Sequence, residues 1–348
     1  MGKISTRSFH GEAGSVTAHH SLIIAEGITA AEQAADLRQM IAEQVPGTPV
    51  YIRIMVSDAA NQADLLAEIA ANATCPVKII EQCPLYGGVK FAALVFSEDG
   101  RYGTSPHRYV AGMTDKGTSY DTTKKILSYF ASDGNMEREC VRTWFFVNDI
   151  DNNYAGMVKA RNEVFALHGL TSGTHFIAST GIAGRNADHN APITFDAYSI
   201  SGITPERITY LKALTHLNPT MEYGVAFERA TAVDFADRRM ILISGTASIN
   251  NRGEILHTGN IEAQCRRMVE NVAALLNEGG ASLSDLMHVI VYLRDPADAI
   301  TANRVLRQIL PPETGYVMVH APVCRPGWLV EMEGVTFTNA SNPGYPTF

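Results

Sequence analysis

At 348 residues, with 46% hydrophobic and 18% charged positions, the chain can bury a large core and lacks the bias of a fibrous or disordered protein. Its formal net charge of −8 comes from interleaved acids and bases, which argues against nucleic acid as a partner, because that binding needs clustered Lys and Arg. No run approaches the roughly 18 apolar residues of a membrane span. The cysteines are scattered and odd in number, with no CxxC pair, so neither a disulfide framework nor a zinc knuckle is expected; no membrane partner, metal or other cofactor is expected either, and the reading is cytoplasmic.

In chain order, the first hundred residues predict a helix over about Ala30 to Gln44 and a strand from Val50 to Val56 that ends in Ser57-Asp58. A helix from Gln62 to Ala70 and strands Val77 to Glu81 and Val89 to Phe96 follow. The middle predicts a strand at Arg108 to Met113, a helix from about Tyr120 to Ser132, and a strand from Val141 to Val147 ending in Asn148-Asp149. A helix from about Tyr154 to Leu167 carries Arg161, and strands His175 to Ser179 and Ile193 to Ile200 close the segment. Residues 201–222 read as a crossover with a short helix near Glu206 to Leu214.

Met240 to Ser244, followed by the turn chemistry of Asn250-Asn251-Arg252-Gly253, predicts a β-hairpin. Ile261, Cys265, Met268, Val269, Val272, Leu275 and Leu276 recur at helical spacing, and the helix stops at Gly279-Gly280. A strand over Met287 to Leu293, a helix opened by Asp295-Pro296, and strands Tyr316 to Ala321 and Leu329 to Phe337 complete a ββαβαββ unit. Strand, Asp, helix recurs at Asp58, Asp149 and Asp295. The fold class is therefore α+β, built from tandem units: a degenerate one over 1–100, a middle one over 101–200, the crossover 201–222, and a C-terminal unit over 223–348.

Ser244-Gly245-Thr246-Ala247, Gly259 with Gln264, Asn271, Gly280-Ala281-Ser282-Leu283, Val291-Tyr292-Leu293 and Leu329 to Glu333 resemble the Rid family, also called YjgF-like proteins, over about residues 240–337. That resemblance implies subunits whose sheets join into a central barrel with ligand clefts between them, and in many members deamination of imines or enamines. Three units in one chain resemble such a trimer fused into a monomer, the plan of the chorismatases, which hydrolyse chorismate. Arg142-Thr143-Trp144, Ser179 to Ile182, Tyr223-Gly224, Phe227 to Thr231 and Val330 to Gly334 resemble chorismatase motifs over roughly residues 104–338. The implied protein is a monomeric pseudo-trimer that takes a small anionic metabolite in one cleft between the middle and last units. Two departures stand out. Rid deaminases carry a carboxylate-gripping Arg in the strand before the final Glu pair, where this chain has Thr314-Gly315-Tyr316. A Gly-Arg pair of the chorismatases falls where this chain has Val164-Phe165-Ala166-Leu167.

Glu331 and Glu333, two apart on a strand, project to one face. Carboxylates about 7 Å apart raise each other's pKa, and burial raises them further, so one can stay protonated near neutral pH and act as a general acid. That chemistry suits hydrolysis of a carboxylated enol ether such as chorismate, and also hydrolysis of a 2-imino or enamino acid. A non-catalytic metabolite-binding cleft is the third reading. The resemblance to chorismatases points to the first Glu as the acid, and that to Rid deaminases to the second. The matches put Arg142 and Arg304 at the cleft as carboxylate clamps, with Arg161 the counterpart of Arg304 in the middle unit. Tyr223 and Arg229 are expected to line the same cleft, and Gly181, in Gly181-Ile-Ala-Gly184, to form a tight turn that brings backbone close to the ligand. Cys324, beside Arg325, is a secondary nucleophile candidate.

Overall fold

Runs buried along their whole length, Cys140–Val147 and Leu286–Leu293 among them, become central strands of three mixed sheets. The computed structural model describes residues 2–11, 17–99, 105–132 and 136–347. The first part holds β1 (Lys3–His10), β2 (Thr17–Ile24), α1 (Ala30–Gln44), β3 (Thr48–Val56), the short α2 (Ala59–Gln62) and α3 (Ala67–Asn72), β4 (Val77–Glu81), β5 (Cys83–Pro84) and β6 (Phe91–Asp99). The second holds β7 (His107–Thr114), α4 (Ser119–Ser132), α5 (Met136–Glu139), β8 (Cys140–Val147), α6 (Ile150–Leu167), β9 (Ala178–Ala183) and β10 (Ile193–Ile200). The third holds β11 (Ile208–Leu211), β12 (Ala230–Asp234), β13 (Arg238–Ala247), α7 (Ile261–Glu278), β14 (Leu286–Leu293), α8 (Ala299–Ile309), β15 (Tyr316–His320) and β16 (Val330–Asn339).

The strand order β1-β2-β6-β3-β4 recurs as β12-β13-β16-β14-β15 and, without its first strand, as β7-β10-β8-β9. Each copy has one parallel pair, β3/β4, β8/β9 or β14/β15. The segment before each copy's last strand bridges to the edge strand of a neighbour. β5 pairs with β15, Val323 bridges to Ile182 on β9, and Arg185 bridges to Glu81 on β4. These three links close the sheets into a ring.

Four expectations need correction. Two strands precede α1; Lys3–His10 reads KISTRSFH, too polar to signal a strand, because it is the edge of its sheet. The helix expected over Gln62 to Ala70 is broken into α2, a 3-10 turn and α3. The helix expected near Glu206 to Leu214 is a 3-10 turn at Pro205–Arg207 followed by β11, which extends the third sheet beside β12. The hairpin expected after Met240 to Ser244 shrinks to a single Ile249–Ile255 bridge, because β12 and β16 already occupy both sides of β13. The proposed boundary at residue 100 lies outside the described residues.

All three sheets meet at one buried carboxylate. Glu333 of β16 is 3% exposed and accepts from Arg53 Nη1 of β3 at 2.8 Å and from Arg142 Nη2 of β8 at 2.7 Å. Trp144 Nε1, also on β8, donates to both Glu333 oxygens at 3.0 and 3.1 Å. The two guanidiniums lie 5.0 and 4.9 Å from the Trp144 ring centre, and Arg142 donates further to Thr180 Oγ1 at 2.6 Å. A buried charge is tolerated only when it is paired and hydrogen-bonded, so this cluster holds the three sheets in one mutual position. Replacing Arg53 with Met removes one of the two cations and is expected to cost on the order of 3–5 kcal/mol in urea denaturation. Arg38→Met breaks only the exposed pair with Glu68 and should stay within about 1 kcal/mol of wild type.

Candidate functional site

Glu331 lies on the same face of β16 as Glu333, one pleat nearer the strand's start, between Ala247 of β13 and Tyr292 of β14. A side chain on Gly245 would collide with its carboxylate, so the glycine is what leaves room for Glu331. The Gly245 amide donates to Thr180 Oγ1 at 2.9 Å, tying this strand to β9 of the neighbouring sheet. Glu331 forms one wall of a cavity whose other walls come from α6, β9, the segment 223–229 after the crossover, β13 and the loop before β16.

The two glutamates have opposite electrostatics. Burial pushes the Glu333 carboxyl up, but the Arg53 and Arg142 guanidiniums outweigh it and hold the group below the usual carboxylate range. Glu331 is pushed up to about 8, first by burial and then by the Glu333 charge, with Arg142 and Arg229 offsetting part of the rise. Near neutral pH the pair therefore carries one proton, and it sits on Glu331.

Tyr154, Met157 and Arg161 recur on one face of α6, the spacing that turns them towards the sheet. Arg161 is 1% exposed, lines the cavity, and leaves Nε and Nη2 without a hydrogen-bond partner. Across the cavity Arg229 is fixed by the crossover: its Nη2 donates to the Asn218 carbonyl and to Asn218 Oδ1, both at 3.0 Å. Tyr223 lies under Arg229 and Arg325 at 5.4 and 4.7 Å, and Arg325 also covers Trp328. Three guanidiniums and a neutral carboxyl thus face one space, an arrangement that receives an anion beside a proton donor.

Of the residues singled out from sequence, Glu331, Tyr223, Arg229 and Gly181 come together at this cavity. Glu333 and Arg142 stand behind it in the ion cluster rather than in its lining. Arg304 is not part of it. It lies on the exposed face of α8, paired with Glu262 of α7 at 2.9 Å, because Ala302, Val305 and Leu306 form the buried stripe of that helix. Gly181 is in strand β9, not in a turn, and its bare Cα accommodates Tyr154, whose ring a Cβ would approach to 3.1 Å. Burial and the Glu331 charge push the Cys324 thiol up to about 12 despite Arg325, so it is not an activated nucleophile. His19 bonds to Ser8 and Asp99, and His20 bonds to His288 within the core. Arg161 and Arg325 were not picked out as lining residues. The available signal for Arg161 was a charged residue inside an otherwise apolar helical stripe.

The Endoribonuclease L-PSP family model matches residues 227–337. Over 217 residues the chain is 30% identical to a chorismatase of Streptomyces rapamycinicus, an alignment covering 56% of this chain and 63% of that protein. A RutC family protein of Pyrococcus abyssi is 34% identical over 99 residues, covering 28% of this chain and 77% of that protein. A solved chorismatase structure superposes with a TM-score of 0.68 over 84% of this chain and 95% of that one, at 18% identity, a likeness of fold. No helix among the described residues is long and apolar enough to cross a membrane. With its repeated strand order, its terminal Glu pair and a relative matched over most of its length, the chain belongs to the Rid (YjgF-like, L-PSP) family.

Proposed function

We propose that the chain is a chorismatase-like hydrolase of a small carboxylated enol ether such as chorismate, with Glu331 as the proton donor. One observation carries this reading: a carboxyl that stays protonated near neutral pH shares a cavity with a buried guanidinium whose Nε and Nη2 have no hydrogen-bond partner. Glu331 gives its proton to the terminal methylene carbon of the enol ether, which becomes a methyl group. Positive charge then develops on the ether carbon as an oxocarbenium, beside the carboxylate just formed. Water adds to that carbon and returns a proton to Glu331. The hemiketal collapses as its hydroxyl proton passes to the departing oxygen, releasing pyruvate and the ring alcohol, with one water consumed. The free N–H groups of Arg161 match a substrate carboxylate, and Arg229 and Arg325 add positive potential around it. The similarity to chorismatase supports the substrate class.

The same proposal takes 1–100, 101–200 and 223–348 as three fused units joined by the crossover 201–222, a pseudo-trimer in one chain. The repeated strand order and the three-sheet cluster support it. A second reading, deamination of a 2-imino or enamino acid, is favoured by the similarity of the last unit to a RutC family protein. It is weakened by Thr314-Gly315-Tyr316, where the deaminases carry their arginine.

Chorismate incubated with the protein is expected to yield pyruvate, and Glu331→Gln to lower kcat by at least about 100-fold while circular dichroism is unchanged. Absence of pyruvate from the wild type, with ammonia released from 2-aminoacrylate instead, would select the second reading. Arg161→Met should raise KM about tenfold or more. Activity should fall as pH rises through about 8, where Glu331 loses its proton. Stability carries the same signature with a definite sign. Between the ordinary value of 4.5 and about 8 the unfolded chain releases this proton while the folded chain keeps it. Wild-type stability should therefore fall relative to Glu331→Gln across that window and run parallel to it above. On size exclusion the fused chain should elute as a monomer of 37.8 kDa.

A further inference from the structure

Strand registers align the three sheets. Val56, Val147 and Leu293 end their central strands opposite Phe91, Ile193 and Val330. Earlier on the same strands, Tyr51, Arg142 and His288 stand opposite Phe96, Tyr198 and Val335, which are therefore equivalent. The partners of those three on the next strand, His20, Tyr109 and Leu242, form a second equivalent set. Ala18, His107 and Met240, on the same face of those strands, form a third. All three sets line one well inside the ring of sheets, and Trp144 in the lining places the ion cluster at its inner end.

A ring of identical subunits would repeat one side chain three times in each layer. Here the layers have diverged. The first and second sheets supply rings: Tyr109 stacks on Tyr198 at 4.5 Å and 9°, with Phe96 at 6.1 Å from Tyr109. The third sheet supplies Val335, Leu242 and Met240 instead. Two aromatic walls therefore face one aliphatic wall, a shape that takes a flat ring. Arg238, on the same face of β13 as Met240 and Leu242, also lines the well and is 4% exposed. Its Nη1 donates to Asp237 Oδ1 at 2.8 Å and to the Thr347 carbonyl at 2.7 Å, but its Nε has no hydrogen-bond partner. The well thus holds a buried donor in want of an acceptor.

Charge narrows the class of guest. Burial, followed by the Arg53 and Arg142 charges, pushes His288 down to about 3, so the inner end of the well is positive and repels an organic cation. Glu98 in the lining opposes an anion, and Asp237 already neutralises Arg238. We propose that this well is a second binding site, for a small uncharged aromatic molecule of the phenol class whose oxygen accepts from Arg238 Nε. Its described lining shares no residue with that of the Glu331 cavity, and the inference does not rest on the reaction proposed there.

Calorimetric titration of the full chain with phenol tests it. Wild type is expected to bind phenol at one site, and more tightly than cyclohexanol, whose puckered ring has no π face. Leu242→Phe, which puts a third ring on the aliphatic wall, should abolish binding. Arg238→Lys keeps a cation beside Asp237 but loses the Nε donor, and should weaken binding about tenfold. The chain has two tryptophans, Trp144 in the well and Trp328 in the Glu331 cavity. Trp328→Phe protein should therefore still show a saturable fluorescence response to phenol. No binding by wild type, no response from Trp144, or equal binding by wild type and a folded Arg238→Lys or Leu242→Phe variant overturns the proposal.

Discussion

The structure depends on one neutralised charge. Glu333 is buried where three sheets converge, and it is bearable there only because Arg53 and Arg142 approach it from two different sheets. The pairing fixes the mutual position of the sheets and also fixes a proton inventory. Two carboxylates about 7 Å apart repel by about 2 kcal/mol at an effective dielectric of 20. That term alone lifts the second pKa by between one and two units, and burial lifts it further. Because both cations contact Glu333, the proton falls to Glu331, whose side chain reaches the cavity. The arginines therefore act on the site through a charge they pin, without lining the space themselves.

Tandem duplication explains how one such site arises and why its copies differ. Positions equivalent to Glu331 and Glu333 are Thr194 and Asp196 in the second sheet, and Ala92 and Leu94 in the first. Asp196 is taken up structurally, accepting from the Tyr51 hydroxyl and the Gly112 amide, both at 2.7 Å. Leu94 keeps no polar function. Yet the first sheet supplies Arg53, without which Glu333 would lose half of its positive partners. A unit with no candidate proton donor of its own thus remains necessary to the donor in another unit.

Legibility in the sequence followed physical distance. The helices α1 and α7 and the central strands were readable because periodicity is local, and the Glu pair because a strand's alternation places both acids on one face. The polar edge strand β1 was not, since an edge needs little apolar sequence. Arg304 lies on the exposed face of α8, paired with Glu262, and only packing, a non-local quantity, shows that it does not face the cavity. Arg53 was equally hidden, because its partner is 280 residues away. The sequence also suggested lowered reactivity limits for the wrong group. Cys324 sits beside Arg325, but burial outweighs the neighbouring charge once the loop packs against Tyr154 and Glu331.

A proton donor at neutral pH requires a carboxyl that is desolvated and still reachable, two demands that oppose each other. Here the strand supplies desolvation and a missing side chain supplies access. Gly245 leaves a gap on β13 that the Glu331 carboxylate fills, and any Cβ there would displace it. The neighbouring ion cluster then adds the repulsion that an apolar wall cannot, and it does so without a cation touching the Glu331 oxygens. A cation in direct contact would hold Glu331 ionised, as it does Glu333. The separation of arginines into a pair bound to Glu333 and a set facing the cavity is therefore the feature that lets one glutamate stay acidic while its neighbour, two residues away, stays charged.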